Sequence, residues 1–472
     1  MGKATWRQVW ERARARALAG AAALAVLAGC AAPGAQDPGQ ARNTAREAYI
    51  YAYPMLYHYR SMYEQAIDTA SPAYLGGFGM FQHRAEPYTP QSVDVATPNV
   101  DTLYSRAWLD LRAEPWVLSL PAVPKSRYNA FQLVDMYTYN LAYLGTRATG
   151  FGSGHYLIAG PGWTGPVPKG ITQVVRADTD FVAVLGRTAL NGPADIKAVH
   201  ALQARYGLRP LSAYTGTAAP AGAPPVDWLP WNEQRASSIG FIAYLNQLLA
   251  HTQPQPESEA DMMARFARIG IAPGRDFEPA RLDAATRRAM DAGIVDAQQA
   301  IEQGARHAAA PATPASLYGS REQLGGDYLK RAVAAAVGIY GNTADEAIYL
   351  TIGEDAQGRP LDGARAYELR FAPGRQPPVR FFWSISVYAL PARGLAENPI
   401  DRYAIGSRTK GIKRGRDGSL TVYLQHDAPA RAHAPNWLPT PAGPFVVVAR
   451  FYGPQPALRD GAWVMPALVP AR

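Results

Sequence analysis

Four side chains in the first third of the chain are of types that carry acid–base chemistry: His83, Asp101, Asp110 and Asp135. Asp110 and Asp135 stand at the ends of apolar segments, and two carboxyls buried together would leave one protonated as a general acid. His83 is the candidate general base, because a histidine changes charge near neutral pH. These four residues are the predicted catalytic set. The alternative is structural, with a hydrogen-bonded histidine and ion pairs from the carboxylates to Arg106, Arg127 or Arg187.

A second group of side chains could recognise a ligand. Asn99 and Tyr104 belong to a turn that a proline introduces, where polar groups either bind ligand hydroxyls or satisfy the local backbone. In the last quarter of the chain, arginine and asparagine stand near large aromatic residues, a combination that suits a sugar ring or an aromatic acid. The alternative there is a sandwich core. The predicted ligand-binding residues are Asn99, Tyr104, Arg187, Arg402, Tyr403, Asn436, Trp437 and Arg450.

No sequence motif fixes a reaction. The chain lacks the Gly-x-Ser-x-Gly nucleophile elbow, the His-Glu-x-x-His zinc motif, a phosphate-binding loop and a dinucleotide fingerprint. The residues of a catalytic triad or a carboxylate pair can be far apart in the sequence, so the absence of these motifs does not exclude an enzyme. With one cysteine and eight scattered histidines, the sequence predicts no metal site, and it identifies no cofactor.

The first 29 residues have the parts of a secretory leader. Residues 1–16 are basic, and residues 17–28 form an apolar run that is shorter than the roughly 20 residues needed to span a bilayer. The run ends in Leu27-Ala28-Gly29-Cys30, which resembles the bacterial lipobox and predicts a lipid anchor on Cys30. Ala31 follows, which favours the outer membrane, facing the periplasm. The alternative is an ordinary leader with an incidental cysteine.

The composition is that of a folded protein without a nucleic-acid partner. Of the 472 residues, 48% are hydrophobic and 10% are aromatic, which is enough apolar surface to offset chain entropy. The net charge of +9 falls to +5 once a leader with five basic residues and one acidic residue is removed. This excess is mild for a chain of this length, so we predict no nucleic-acid binding. The sequence does not determine the oligomeric state.

Hydrophobic patterning divides the chain after the leader. Residues 30–44 are polar and predict a tether. Residues 45–207 begin with a helix that Pro54 is expected to kink or break, and they continue as short strands of an antiparallel sandwich. Residues 208–335 combine a linker rich in proline and glycine with helical periodicity. Residues 336–472 return to strands, with Trp437 predicted on a loop.

Two long blocks of sequence carry specific motifs. The first contains Thr97-Pro98-Asn99-Val100-Asp101, Trp108, Asp110, Asp135, Gly160-Pro161-Gly162-Trp163 and Gly186-Arg187-Thr188. The second contains Tyr340-Gly341-Asn342, Asp362-Gly363, Phe382-Trp383-Ser384, Asn398-Pro399, Arg402-Tyr403, Asn436-Trp437-Leu438-Pro439 and Arg450-Phe451-Tyr452. Together they resemble the paired bacterial families of unknown function 1254 and 1214. The resemblance implies a mainly β fold: an N-terminal immunoglobulin-like sandwich, a small helical domain and a C-terminal jelly-roll sandwich. It implies no activity.

Three functions follow as hypotheses. The first is a lipid-anchored envelope protein that binds a small polar or aromatic molecule, or a glycan, in a cleft between the two β domains. The second is a hydrolase or lyase that uses carboxylates and histidine in the same cleft. The third is a structural envelope protein with a protein partner, which would need an exposed apolar patch. The hydrolase or lyase hypothesis would gain support if the four predicted catalytic residues lined one pocket.

Overall fold

The computed structural model describes residues 37–92, 96–253, 256–308 and 317–471, which form two β domains and a helical region. Four sheets hold the strands, two in the N-terminal region and two in the C-terminal region. The predicted fold class, strand-rich with a helical insert, is therefore confirmed. The leader and the predicted lipidation site Cys30 lie outside the described residues.

The N-terminal domain packs a five-stranded sheet, in the order β1-β2-β8-β4-β5, against a four-stranded sheet, in the order β7-β6-β3-β9. Alternate apolar residues of β2, β4 and β8 fill the space between the two sheets. The opposite face of β8 is covered as well, so every residue of that strand is buried. The strands are β1 (Gln82–His83), β2 (Thr102–Asp110), β3 (Trp116–Leu120), β4 (Asn129–Asp135), β5 (Asn140–Gly145), β6 (Gly154–Ala159), β7 (Gln173–Arg176), β8 (Phe181–Ala189) and β9 (Gly207–Pro210).

The C-terminal domain is a sandwich of two four-stranded sheets, in the orders β10-β16-β12-β13 and β15-β14-β11-β17. The two long apolar runs of the sequence form β12 and β16, which pair antiparallel at the centre of the first of these sheets. Their inward side chains form one core with those of β11 and β14. The strands are β10 (Ala347–Ile352), β11 (Tyr367–Phe371), β12 (Val379–Ala389), β13 (Ala404–Gly406), β14 (Leu420–Gln425), β15 (Trp437–Pro439), β16 (Phe445–Pro454) and β17 (Val469–Pro470).

Seven of the described helices, α1 and α4–α9, pack together on the outer face of the first sheet, whereas α2 and α3 lie against the N-terminal sandwich and α10 lies in the C-terminal core. Helix α1 lies at the centre of the seven, against α5, α7 and α9, and its buried face also meets Trp108 and Phe181 of the sheet. No helix in the described stretches is long and apolar enough to cross a membrane. The helices are α1 (Pro38–Met62), α2 (Ile196–Gln203), α3 (Leu211–Thr215), α4 (Glu233–Ala236), α5 (Phe241–Leu249), α6 (Ala260–Arg268), α7 (Ala284–Ala308), α8 (Arg321–Leu324), α9 (Tyr328–Gly338) and α10 (Pro456–Arg459).

Helix α1 differs from the sequence prediction at both ends. It begins at Pro38 because the Asp37 carboxylate accepts a hydrogen bond from the Gly39 backbone nitrogen at 3.1 Å, so residues 38–44 are helical rather than a tether. It also continues past Pro54 to Met62 and then into a π-helical turn. A proline inside a helix costs about 3 kcal/mol. Burial of one whole face of α1 outweighs that cost.

Candidate functional site

A cavity of about 570 Å³ lies where the two β domains and the helices meet. Strands β2 and β8 contribute one wall, strands β10 and β16 contribute another, and α1 and residues 337–342 complete the lining. Small-molecule sites typically enclose about 300–1,000 Å³. On antiparallel β2 and β8, Tyr104 pairs with Arg187 and Trp108 pairs with Ala183. Alternate residues of a strand share a face, so these side chains point to the same side of the sheet.

Among the residues that the structure describes, the charged side chains of the cavity lining are all positive. They are Arg106, Arg187, Arg393 and Arg450, and no described aspartate or glutamate joins them. Within the part of the chain that the structure describes, none of the four has a carboxylate within 4.0 Å. The cavity is therefore a cationic compartment whose own side chains supply no counterion by contact.

Arg187 is the cation that the N-terminal domain buries most deeply in this wall. Its residue is 5% exposed. Its Nη1 donates to Gln132 Oε1 at 2.6 Å, and its Nη2 donates to the Tyr340 carbonyl at 2.9 Å. Both acceptors are neutral, so these bonds fix the guanidinium plane without cancelling its charge. Arg187 also hydrogen-bonds the Tyr104 phenol. A guanidinium has five N–H donors, so these three partners leave donors for a further acceptor.

Arg450 holds the corresponding position in the C-terminal domain. It lies on β16, is 4% exposed, and donates to Ser386 Oγ at 3.2 Å and to the Thr97 carbonyl at 2.9 Å. The second bond crosses between the two domains, so docking of the domains sets the position of this guanidinium. Its Cζ also lies 5.5 Å from the centre of the Tyr388 ring.

Tyr104 lies beside Arg187 and also feels the charge of Arg450. The Cζ of Arg187 lies 5.5 Å from the centre of the Tyr104 ring. Burial alone would raise the pKa of the phenol, but the charge of Arg187, hydrogen bonds with Asn99 and Arg187, and the charge of Arg450 lower the pKa of Tyr104 below its ordinary value. The other cavity tyrosines with shifted pKa values, Tyr318, Tyr340 and Tyr349, go the opposite way because burial dominates.

Backbone strain is concentrated at the same place. Thr97, Tyr340 and Arg393 line the cavity with φ values of 50°, 70° and 56°, in the left-handed region that non-glycine residues rarely adopt. Each such residue costs about 1–3 kcal/mol and persists only where the surrounding structure fixes it. The Thr97 backbone nitrogen donates to the Arg393 carbonyl at 2.8 Å, and the Thr97 carbonyl accepts from Arg450. The strained segments therefore help to position a cavity cation.

His58 lies behind the wall and was not selected from the sequence. The ring packs 4.9 Å from that of Trp108 and 5.5 Å from that of Tyr340, and neither nitrogen has a hydrogen-bond partner among the described residues. Burial lowers the pKa of His58 to about 3. The histidine is neutral at physiological pH, so the positive charge of this region belongs to the arginines alone.

The structure does not bring the four predicted catalytic side chains together, and none of them lines the cavity. Ser384 Oγ donates to Asp101, which also pairs with Arg408 at 3.3 Å. Asp110 pairs with the neighbouring Arg112 at 2.6 Å. His83 Nδ1 lies 2.8 Å from Ser105 Oγ, and burial lowers the pKa of the ring. Each of these three groups has a structural partner, but the carboxylates pair with Arg408 and Arg112 rather than with Arg106, Arg127 or Arg187.

Asp135 is buried in the turn between β4 and β5, where it accepts from the Tyr139 backbone nitrogen at 2.8 Å. Burial raises the pKa of Asp135 to about 7, although that hydrogen bond and the charges of Arg321 and Arg331 oppose the rise. An unfolded aspartate has a pKa of about 4. The protonated carboxyl therefore stabilises the fold fully below pH 4, and that contribution is lost as the pH rises through about 7.

We expect Asp135→Asn to remove this pH dependence, because the amide oxygen can still accept from Tyr139 and the side chain no longer ionises. Relative to the variant, the wild type should lose about 4 kcal/mol of unfolding free energy between pH 4 and pH 8. Urea unfolding at a series of pH values measures this difference. Asp110→Asn, which changes a partly exposed ion pair, is the control. Equal pH dependence in the wild type and Asp135→Asn would contradict the assignment.

Half of the predicted ligand-binding residues line the cavity: Asn99, Tyr104, Arg187 and Arg450. The other half lie within the C-terminal domain, outside the lining. Arg402 donates to the Trp437 carbonyl at 2.7 Å, and the buried Asn436 side chain bonds the backbone of residues 413 and 421. Tyr403 Oη donates to Asp401 at 3.1 Å.

Trp437 corrects a sequence prediction. It does not lie on a loop but begins strand β15 and is 3% exposed, with its indole nitrogen donating to the Gln425 carbonyl at 2.9 Å. The parallel pairing of β15 with β14 places this ring against the sandwich rather than in solvent. Residues that line the cavity but were not selected from the sequence include Arg106, Trp108, Tyr340, Asn342, Tyr349 and Arg393.

Comparison with known proteins identifies both β domains. Residues 78–210 match the family described as "Protein of unknown function (DUF1254)", and residues 346–456 match the family described as "Protein of unknown function (DUF1214)". No curated protein matches the chain. The crystal structure of the VPA0106 protein from Vibrio parahaemolyticus is 28% identical with a TM-score of 0.75, over 92% of this chain and 100% of that chain. An uncharacterized protein from Burkholderia cenocepacia is 14% identical with a TM-score of 0.42, over 90% and 88% of the two chains. The predicted family pairing is confirmed: this chain carries a DUF1254 domain followed by a DUF1214 domain.

Proposed function

We propose that this protein binds a small anionic molecule with an apolar or aromatic body in the cavity between its two β domains. The observation that carries the proposal is the lining itself, whose described residues include four arginines and no acidic side chain. The arginines come from both family domains: Arg187 belongs to the first match and Arg450 to the second. Pairing of the two domains in one chain thus builds the site.

The energetic argument concerns the cost of burying charge. A buried guanidinium loses hydration worth several kcal/mol, and proteins usually offset that loss with a carboxylate. Arg187 and Arg450 are both more than nine-tenths buried and have only neutral hydrogen-bond acceptors. The charge of Asp101 reaches Arg450 only from beyond contact distance. An anion bound between the two arginines would supply a counterion in contact with them. Such an anion would bind favourably because the protein has already removed water from the two guanidinium groups and fixed their orientation.

The remaining lining indicates what else the ligand contains. The rings of Trp108, Tyr340 and Tyr349 and the side chains of Leu185 and Val448 make about half of the exposed lining apolar. Planar guanidinium groups match a carboxylate bidentately, and aromatic walls accept a flat ring or the apolar face of a sugar. We therefore favour a carboxylate on an aromatic or sugar ring over a neutral glycan.

The test compares ligands of equal shape and different charge. Benzoate with benzamide, and galacturonate with galactose, are two such pairs. A ligand that binds only the folded state raises the melting temperature by mass action. We expect the carboxylate of at least one pair to raise the melting temperature and its neutral partner to leave it unchanged. Equal shifts within each pair, or no shift with any of the four, would overturn the proposal.

We further propose that the protein is a lipoprotein of the cell envelope, anchored through Cys30 in the outer membrane and facing the periplasm. Support comes from the sequence Leu27-Ala28-Gly29-Cys30 and from Ala31 after it. Cys30→Ser removes the acylated thiol, so we expect the protein to leave the membrane fraction and its N-terminal peptide to lose the mass of the lipid. Ala31→Asp is the matched control, which should keep the lipid and change only the membrane. An unmodified Cys30 in the membrane fraction of the wild type would contradict the anchor.

A further inference from the structure

We infer that the cavity is catalytic, with Tyr104 as the base that removes a proton from the carbon next to the bound carboxylate. This inference rests on the proposed function and adds a reaction class to it. The substrate class is a carboxylate that carries an oxygen substituent on its β carbon, and the reaction is an elimination.

The first argument is the composition of the lining. Its titratable side chains are arginines and tyrosines only, because no histidine, lysine, cysteine, aspartate or glutamate of the described residues lines the cavity. Arginine stays charged and cannot act as a base at ordinary pH. Any proton transfer by a side chain of this lining therefore falls to a tyrosine.

The second argument is the position of Tyr104 among the five lining tyrosines. Tyr349 pairs with Arg450 across β10 and β16 and feels the charges of both arginines, yet burial raises its pKa. Tyr104 faces Arg187 across β2 and β8, feels the same two charges, and is the one of the two whose pKa they lower. Its residue is partly accessible, whereas the two guanidiniums beside it are almost fully buried. A carboxylate held between these guanidiniums would lie next to the Tyr104 phenol. The same two charges favour its phenolate form, in agreement with the lowered pKa of Tyr104.

The third argument is the charge that the reaction develops. Removing the proton next to a carboxylate moves a second negative charge onto the carboxylate oxygens, as an enediolate. Fixed positive groups aimed at such oxygens stabilise that charge in a water-poor site. Arg187 and Arg450 are fixed by hydrogen bonds from separate domains, so they can act on it without rearrangement.

The step balances without any co-reactant. The α C–H bond breaks, its proton forms an O–H bond on Tyr104 Oη, and its electron pair enters the enediolate. That pair then forms the carbon–carbon double bond as the β C–O bond breaks. The leaving oxygen takes the proton back from Tyr104. The products are an unsaturated carboxylate and an alcohol or water, and neither oxidation nor reduction occurs overall.

The test follows exchange of the α proton in heavy water by NMR, with galacturonate, digalacturonate and 3-hydroxy-3-phenylpropanoate as probes. Melting temperatures are measured on the same samples, so binding and chemistry are separate readouts. We expect a probe that raises the melting temperature to lose its α proton signal with the wild type. Tyr104→Phe should slow that loss about 100-fold or more while the probe still raises the melting temperature. Tyr423→Phe removes a phenol on β14, outside the lining, and should match the wild type.

Three results would overturn the inference, and they are distinguishable. A probe that binds but exchanges no proton removes the catalysis and leaves the binding proposal standing. Exchange that is as fast in Tyr104→Phe assigns the base elsewhere. Absence of any binding removes the proposed function, and this inference with it.

A second measurement needs no substrate. Tyrosinate absorbance followed against pH should show one phenol that ionises below the others in the wild type and in Tyr423→Phe, and not in Tyr104→Phe. An early ionisation that persists in Tyr104→Phe, or that is missing from the wild type, would overturn the inference.

Discussion

Arg450→Met is expected to weaken binding of a carboxylate probe such as benzoate about 100-fold or more, equivalent to roughly 2.7 kcal/mol. The methionine keeps most of the apolar stem and removes the charge that would face the ligand. The unfolding free energy of the ligand-free protein should change by less than about 2 kcal/mol. Removing a buried charge stabilises the fold, and losing the hydrogen bonds to Ser386 and Thr97 destabilises it, so the two effects partly cancel. Calorimetric titration and urea unfolding measure the two quantities.

Two variants make this prediction specific. Arg450→Lys keeps the charge but loses the planar donor fork, so its affinity should fall between those of the wild type and Arg450→Met. Arg209→Gln removes an exposed arginine of β9 outside the lining and should bind as the wild type does. Unchanged benzoate affinity in Arg450→Met would show that this guanidinium does not face the bound anion.

Gly363→Ala is expected to destabilise the protein by about 3 kcal/mol or more. A Cβ on Gly363 would lie 1.7 Å from the Pro441 carbonyl oxygen, so a backbone segment would have to move rather than a side chain. The Gly363 nitrogen also donates to the Gly443 carbonyl at 3.0 Å, and a displacement would break that bond. This close approach gives a physical reason for the Asp362-Gly363 motif. Chemical denaturation of the variant measures the loss.

Gly443→Ala is the matched control on the facing segment. A Cβ there meets nothing within 4 Å, and the two substitutions restrict the unfolded chain equally. The control should therefore lie within about 1 kcal/mol of the wild type. Equal losses in the two variants would mean that backbone freedom, and not the contact with Pro441, explains the glycine.

The sequence predicted strands well where burial determines the pattern of apolar residues. The apolar runs that became β12 and β16 are buried on both faces, and few structures other than central strands suit such runs. Helix α1 was predicted less well because its length and its tolerance of Pro54 depend on contacts with α5, α7 and α9, which the local sequence does not contain. Trp437 was misplaced for a similar reason, since its parallel pairing with β14 is a long-range contact.

The site was predictable in part. Asn99 and Tyr104 stood out because polar and aromatic residues follow a proline-led turn, and Arg187 and Arg450 because they accompany family motifs. Arg106 and Trp108 follow Tyr104 at alternate positions of β2, so strand periodicity was a signal that could have found them. Tyr340 belongs to the Tyr340-Gly341-Asn342 motif, so the motif was a signal for it. Arg393 carried none, because it reaches the cavity through a strained backbone segment.

The four predicted catalytic residues, His83, Asp101, Asp110 and Asp135, do not lie together. The candidate chemistry of the cavity therefore belongs to arginine and tyrosine and not to carboxylates. Each of these four groups has a hydrogen-bond or ion-pair partner outside the cavity, and the partner of Asp101 lies in the C-terminal domain. A hydrolase or lyase that uses them, and a structural role with a protein partner, both stay predictions. The elimination proposed for Tyr104 is the form of enzyme activity that the lining itself supports.

The most direct measurement of the central claim is a crystal structure of the protein with 4-bromobenzoate, located by the anomalous signal of bromine. We predict the bromine inside the interdomain cavity, with the carboxylate within hydrogen-bond distance of Arg187 or Arg450 and the ring against the aromatic wall. Bromine found only at the protein surface, or a ring bound in the cavity with its carboxylate turned away from both arginines, would contradict the account.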